Sequence, residues 1–354
     1  MDERSFVAAQ DFILGAKGYW TTVIYPALKE DFQNRTEALD APPDTPDAVG
    51  AIIGDTVLYR YYAWLERHLQ RFKYSGRYGL YPFHHERRDA LKASLGNSGQ
   101  AEIDDGLAMP QYYRDVDIHQ HPGGVWSDEI AGFVYERGAR STTPLMGGAH
   151  RDLHQRFTDF VAAAGPSPTR ILDMGCGFGK STRPFFETFS GAEVDAVDLS
   201  GPCVTLGASD AAASSNSNIR YRQMDAINTD YGDGAFDLVT STMLVHELPP
   251  PEIDQMFDEA ARLLQPGGRM AHLDFHYLPD AFARFIHYGH GQRNNEPYMQ
   301  PWAEMDIAQV LENKGLINVQ VIPFKEAEGI DADDYPYWRF PWTIIYAEKP
   351  APEI

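Results

Sequence analysis

The chain has 354 residues, and its 51 Asp and Glu residues outnumber its 30 Lys and Arg residues, which gives a net charge of −21 at pH 7. Such an acidic chain is poorly suited to the phosphate backbone of DNA or RNA, so we expect no nucleic-acid partner. Its hydrophobic share of 43% allows a large core, and its length favours about two domains.

Cysteine content and the N-terminal residues predict the compartment. Cys176 and Cys203 are the only cysteines, too few for a disulfide framework, and the start MDERSF lacks the basic and apolar regions of a secretory signal. The longest apolar stretch, 48–72, contains charges that are costly in a bilayer. We therefore expect a cytoplasmic protein with no membrane partner, and a homodimer remains open.

The first 148 residues are predicted to form a mostly helical region. A helix over 12–32 is expected to be broken by Gly15, Gly18 and Pro26, and the proline-rich run 41–46 is expected to be a loop. Short helices and ordered loops are expected over 96–148. Between these segments, apolar residues at steps of three and four predict one helical stripe. Its members are Val49, Ile53, Val57, Tyr61, Leu65, Leu69 and Phe72.

Strand and helix patterns alternate after Arg170, which predicts an α/β fold built on a largely parallel sheet. The predicted strands are 171–174, 193–198, 220–224, 236–240, 269–274, 319–324 and 342–347, and the predicted helices are 181–189, 251–264 and 307–314.

A glycine loop follows the first of these strands. Gly175, Gly177 and Gly179 alternate there, so the backbone can turn tightly and approach a ligand closely. The spacing G-x-G-x-G differs from the G-x-G-x-x-G of dinucleotide-binding loops. Asp173, two residues before the first glycine, would repel a phosphate and suits a cationic or ammonium group. The loop therefore predicts a cofactor other than a dinucleotide.

Acidic residues also follow the next two strands. Asp198 is placed to accept hydrogen bonds from both hydroxyls of a ribose. Asp225 is placed to accept from an adenine amino group, with Met224 or Ala226 packed on the ring. Three strand ends are thus expected to contact three parts of one nucleoside ligand.

Taken together, these motifs resemble the class I S-adenosylmethionine-dependent methyltransferases, in particular the small-molecule branch that includes quinone-biosynthesis and natural-product enzymes. The matching segments are 171–179, Asp198, Asp225, 236–247 and the turn 264–269. The resemblance implies a Rossmann-like sheet of order 3-2-1-4-5-7-6 with strand 7 antiparallel, a catalytic domain over 149–354, and S-adenosylhomocysteine as product. It adds Cys176, Leu199 and Thr240 to the expected cofactor contacts.

Transfer to a hydroxyl requires alignment of donor and acceptor and removal of a proton. The resemblance places the end of the fourth strand beside the methyl group, so His246 is the first candidate base and Glu247 is expected to orient it. His276 and His287 are the reserve candidates. We predict O-methylation of a small organic molecule. A mostly helical region, 1–148, is expected to bind this substrate, and the catalytic domain is expected to methylate it.

The segment 275–301 is rich in aromatic residues, which favours a lid over a small acceptor. No metal is assigned, although His272, Asp274 and His276 alternate on one strand and His119 and His121 lie close in sequence. Several alternatives remain open: N- or C-methylation, a peptide-modifying methyltransferase, and an S-adenosylmethionine-binding pericyclase or isomerase.

Overall fold

A computed structural model describes residues 1–96, 101–140, 149–214 and 218–352. The N-terminal part is helical, as the sequence predicts. Its helices are α1 Glu3–Tyr19, α2 Tyr25–Thr36, α3 Pro46–Ile53, α4 Val57–Tyr74, α5 Leu80–His85, α6 Arg88–Ser94, α7 Gln111–Arg114 and α8 Ala131–Ala139.

The predicted break between α1 and α2 is a change of helix type. A π-helix, Trp20–Ile24, joins the two α-helices without a loop. Gly15 and Gly18 have no neighbouring side chain close enough to require a glycine. Pro26 lies in the first turn of α2, directly after the π-helix, where the hydrogen-bond pattern changes and a missing N–H is tolerated.

The apolar stripe predicted as one helix belongs to two helices, α3 and α4. The hydroxyl of Thr56 accepts a hydrogen bond from the backbone N–H of Tyr59 and starts a new helix there. Val49 and Ile53 are fully buried, but Val57 is 85% exposed and Phe72 is 52% exposed. The periodicity therefore includes residues on the solvent side of α4.

The second part of the chain forms an α/β layer structure. Its strands are β2 Arg170–Met174, β3 Glu193–Asp198, β4 Ile219–Gln223, β5 Phe236–Thr242, β6 Leu264–Phe275, β7 Ile317–Pro323 and β8 Trp342–Glu348, and β1 Ala101–Glu102 comes from the N-terminal part. The remaining helices are α9 Ala149–Ala163, α10 Thr182–Thr188, α11 Gly201–Ala213, α12 Pro250–Leu263, α13 Ala281–Asn294, α14 Met299–Ala303 and α15 Ile307–Asn313.

The strand order confirms the predicted methyltransferase-like sheet. It runs β1-β4-β3-β2-β5-β6-β8-β7, so β2 to β8 have the order 3-2-1-4-5-7-6, and β8 is antiparallel to both neighbours. Within the described part of the chain, the expected seven strands become eight because β1 pairs in parallel with β4 at the sheet edge. A strand of two residues carries no periodic pattern, so the sequence does not reveal it.

The N-terminal helices and the sheet share one hydrophobic core. Trp20 and Tyr62 belong to the same buried cluster as Phe275, Trp338 and Trp342. The predicted boundary between residues 148 and 149 adjoins 141–148, which lie outside the described residues. Among the helices that the structure describes, none is both long and apolar enough to cross a membrane.

Candidate functional site

A cavity of about 190 Å³ runs along the carboxyl ends of the central strands. Side chains from the N-terminal helices and from the sheet both line it. One part, here called the cofactor end, is lined by Gly175, Cys176, Gly177, Asp198, Leu199, Asp225, Ala226 and Ile227. A second group of lining residues, here called the aromatic chamber, has rings that contact one another, namely Trp20, Phe275, Trp338, Phe340 and Trp342.

The glycine loop between β2 and α10 requires glycine for two reasons. Gly175 and Gly177 have φ angles of 68° and 52°, in the left-handed region that disfavours other residues. A Cβ atom on Gly175 would also lie 2.7 Å from a methyl group of Leu244. The loop is held by hydrogen bonds from the N–H groups of Gly175 and Cys176 to the carbonyl of Val197, at 2.8 and 3.0 Å.

Gly175→Ala is expected to destabilise the fold by about 1–3 kcal/mol, because it combines a strained φ with overpacking against Leu244. Thermal unfolding measures this loss. The matched control is Gly191→Ala, since a Cβ atom at exposed Gly191 would meet no other group. Equal melting temperatures for the two variants would contradict the packing argument.

Two of the predicted acids line the cavity. Asp198 accepts hydrogen bonds from the backbone N–H groups of Gly177 and Ser200, both at 2.8 Å. Burial raises the pKa of Asp198 to about 6. Asp225 accepts from the N–H of Ile227 at 3.1 Å, and burial raises its pKa as well. Both carboxyl groups therefore lie where a positively charged or hydrogen-bond-donating ligand would favour their ionised form.

Three other predicted cofactor contacts lie behind the cavity wall. Asp173 is buried and accepts a hydrogen bond from the hydroxyl of Thr182 at 2.6 Å, and burial raises its pKa to about 7. Met224 packs in the hydrophobic core, and Thr240 is fully buried within β5. Later residues of the same segment line the cavity instead, namely Thr242, Met243 and Leu244.

His246 lies on the cavity wall and is oriented by a carboxylate. Its Nδ1 is 2.7 Å from Oδ1 of Asp274, at the end of β6, and its side chain is almost completely buried. Oδ2 of Asp274 also accepts from the backbone N–H of Val245 at 2.8 Å. Burial lowers the pKa of His246, but the charge and hydrogen bond of Asp274 outweigh this effect and raise it overall.

Glu247 does not orient His246, which corrects the expected pairing. Its Oε1 lies 3.0 Å from Nε2 of His119, and Nδ1 of His119 lies 3.0 Å from Oε1 of Glu296. Burial lowers the pKa of His119, but the two carboxylates raise it overall to about 10. Burial raises the pKa of Glu296, but His119 brings it down to about 2. A protonated histidine therefore bridges two carboxylates across the cavity.

The sequence did not identify Asp274 as the partner of His246, nor Glu296 as a site residue. Glu296 and His119 are 177 positions apart, so no local pattern links them. The backbone of His119 has a φ of 57°, an unusual conformation for histidine that often marks functional positions. Alternation on one strand did draw attention to Asp274, but as a metal ligand.

The two reserve histidines do not line the cavity. Nε2 of His276 lies 3.1 Å from the backbone carbonyl of Met305. His287 is buried beside Phe275, and burial together with His290 lowers its pKa to about 3. The metal hypothesis for β6 also loses its basis, because His272 instead contacts Ser241 at 2.8 Å. Within the described ranges, no group of three or more metal-ligating side chains is found.

Comparisons with known proteins match this chain to methyltransferases. Residues 171–268 match a family model described as a methyltransferase domain. An uncharacterised methyltransferase of Synechocystis sp. is 32% identical over 152 residues, which cover 43% of this chain and 66% of that protein. A demethylmenaquinone methyltransferase of Thermus thermophilus is 32% identical over 124 residues, which cover 35% of this chain and 55% of that protein.

A solved structure with a similar arrangement is the 1,6-didemethyltoxoflavin-N1-methyltransferase of Burkholderia thailandensis. Its TM-score is 0.45 at 20% sequence identity, and the match covers 70% of this chain and 94% of that chain. The chain thus spans 66% and 55% of the lengths of the two curated relatives described above.

Proposed function

We propose that this chain transfers a methyl group from S-adenosylmethionine to a small organic molecule. The premise is that the chain contains a class I methyltransferase domain, as its motifs predicted and the comparisons confirm. The observation that carries the proposal is the cavity itself. It joins the glycine loop and acids of the cofactor end to His246 and the aromatic chamber.

The cofactor end fits S-adenosylmethionine by its chemistry. Gly175 and Gly177 leave room for close approach, and Asp198 is available to ribose hydroxyls. Asp225 suits an adenine amino group, with Leu199 and Ala226 as apolar neighbours. When bound, S-adenosylmethionine supplies a methyl group on a cationic sulfur and leaves as S-adenosylhomocysteine. Its positive charge fits a cavity wall that contains ionisable carboxyl groups.

For the acceptor, we propose O-methylation with His246 as the general base. Asp274 holds Nδ1 of His246 at 2.7 Å, so Nε2, which lies 3.9 Å from Oε2 of Glu296, is the nitrogen left to take the proton of an acceptor hydroxyl. The carboxylate of Asp274 then stabilises the resulting imidazolium. The same pair serves C-methylation of a phenol-like ring. A ubiquinone/menaquinone biosynthesis C-methyltransferase of Dinoroseobacter shibae, 28% identical over 137 residues, favours keeping this second candidate.

Two measurements test the proposal. Calorimetry with S-adenosylmethionine and with NAD separates the cofactors, and we expect saturable binding of S-adenosylmethionine only. Binding of NAD alone would overturn the proposal. Incubation with cell extracts and a labelled methyl donor should then yield a labelled small molecule one CH₂ heavier than its precursor. Label in peptides would identify a peptide-modifying enzyme, and binding without any S-adenosylhomocysteine formation would identify a non-transferring protein.

A further inference from the structure

The amine of one lysine side chain is buried at the cavity wall. Lys73, on α4, is only 1% exposed and lines the cavity. Its Nζ lies 3.4 Å from the backbone carbonyl of Gly138 and 4.5 Å from the ring centre of Tyr74. Among the residues that the structure describes, no carboxylate lies within 4.0 Å of this Nζ. Burying the charged form of a lysine without an ionic partner is costly, so the position of Lys73 calls for an explanation.

Two carboxylates of the cavity wall, Glu66 and Glu296, each contact cations other than Lys73. Glu66 accepts from Arg293 and lies 2.5 Å from Nδ1 of His290. Glu296 is paired with His119 at 3.0 Å. Both acids therefore have closer partners than Lys73, and of the two only Glu296 acts on Lys73 through its charge.

A second lysine acts on Lys73 through its charge. Lys17, on α1, also lines the cavity, and its Nζ donates to Oε1 of Gln70 at 3.2 Å. Burial lowers the pKa of Lys17 to about 8. Burial, together with the charge of Lys17, holds the pKa of Lys73 well below its ordinary value. An anion bound beside Lys73 would oppose this effect, because it would favour the charged form of that lysine.

The side chains of the aromatic chamber favour binding of a flat, apolar molecule. The ring centres of Trp20 and Trp338 are 5.1 Å apart, and those of Trp338 and Phe340 are 4.7 Å apart. The ring of Phe340 stacks on Phe275 at 4.2 Å. Such a chamber suits an aromatic ring.

We propose that Lys73 forms an anion subsite that binds a carboxylate group of a planar aromatic acceptor. The inference rests on the proposed function, because it assigns the acceptor to the same cavity. The carboxylate accepts a charge-assisted hydrogen bond from the ammonium group, while the ring lies among the aromatic side chains. The acceptor class is then an aromatic carboxylic acid, whose methylated group points away from Lys73.

The test compares acids with amides of the same shape on protein saturated with S-adenosylhomocysteine. Benzoate is titrated against benzamide, and 2-naphthoate against 2-naphthamide, with tryptophan fluorescence as the signal. We expect each acid to bind at least about tenfold more tightly than its amide, the usual advantage of a charge-assisted hydrogen bond. Lys73→Met should remove that preference without weakening the amides, and it should not lower the melting temperature.

The matched control is Arg71→Met, which removes a positive charge from the exposed side of the same helix and should keep the preference for acids. Lys73→Gln serves as a second variant if the methionine variant folds poorly. Equal affinity of acids and amides for the unmodified protein would overturn the subsite, as would a preference that persists in both Lys73 variants. Failure to bind S-adenosylhomocysteine at all would instead count against the proposed function.

Discussion

His246→Asn is expected to lower turnover by about 10²–10⁴-fold, the usual contribution of a general base. The asparagine amide can still donate to Asp274, so the loop and the cofactor end should keep their structure. Affinity for S-adenosylmethionine should therefore change by less than about twofold, because His246 belongs to the acceptor side of the proposed reaction. Steady-state kinetics and calorimetry on the same preparation separate the two effects.

The pH profile gives an independent check of this assignment. The base must be neutral, so kcat/KM should rise with pH and level off above the pKa of His246, which Asp274 holds above its ordinary value. That inflection should disappear in His246→Asn. The control, His276→Asn, alters a histidine that contacts the carbonyl of Met305 outside the cavity and should keep both the rate and the profile. An unchanged profile in His246→Asn would remove it from the role of base.

His119→Asn is expected to destabilise the protein by about 3 kcal/mol, because it leaves Glu247 and Glu296 facing each other without their shared cation. Asparagine tolerates the left-handed backbone at this position, so the loss reports on charge and not on strain. Chemical denaturation measures it. The control is Arg35→Gln, which breaks an exposed pair with Asp31 and should cost less than about 1 kcal/mol.

The sign of the pH dependence follows from the two shifted groups. The pKa of His119 is raised from 6.5 to about 10, so its contribution is complete below pH 6.5 and is lost as the pH rises towards 10. The pKa of Glu296 is lowered from 4.5 to about 2, so its contribution is complete above pH 4.5 and is lost on acidification. The stability advantage over His119→Asn should therefore be largest between pH 4.5 and 6.5. An advantage that grows above pH 7 would contradict this account.

The sequence predicted those parts of the fold that repeat a local pattern. The strands of the sheet and their order followed from apolar runs, the glycine loop and a resemblance. The prediction of one continuous helix was wrong at Thr56, where the side-chain hydroxyl caps the start of a new helix. The apolar periodicity continues across this cap and therefore does not reveal it. Strand β1 was missed because two residues are too few for a pattern.

The site was predictable only where its residues follow a strand. Gly175, Asp198 and Asp225, which were predicted by that rule as cofactor contacts, lie on the cavity wall. Whether they bind the cofactor remains a prediction. Lys73 and Glu296 come from helical and loop segments whose side chains meet the strand ends only in the folded chain. No spacing links them to the glycine loop, and burial of a lysine cannot be read from an amphipathic helix.

The core that the N-terminal helices share with the sheet affects how the chain folds during its synthesis. Lys29 forms an ion pair with Asp334, 305 positions further along the chain, and Trp20 packs against Trp338. The first helices therefore emerge from the ribosome long before their partners exist. Contacts of such high sequence separation form slowly and leave apolar surface uncovered in the meantime. The inner faces of the early helices are therefore covered only after synthesis has reached Trp338.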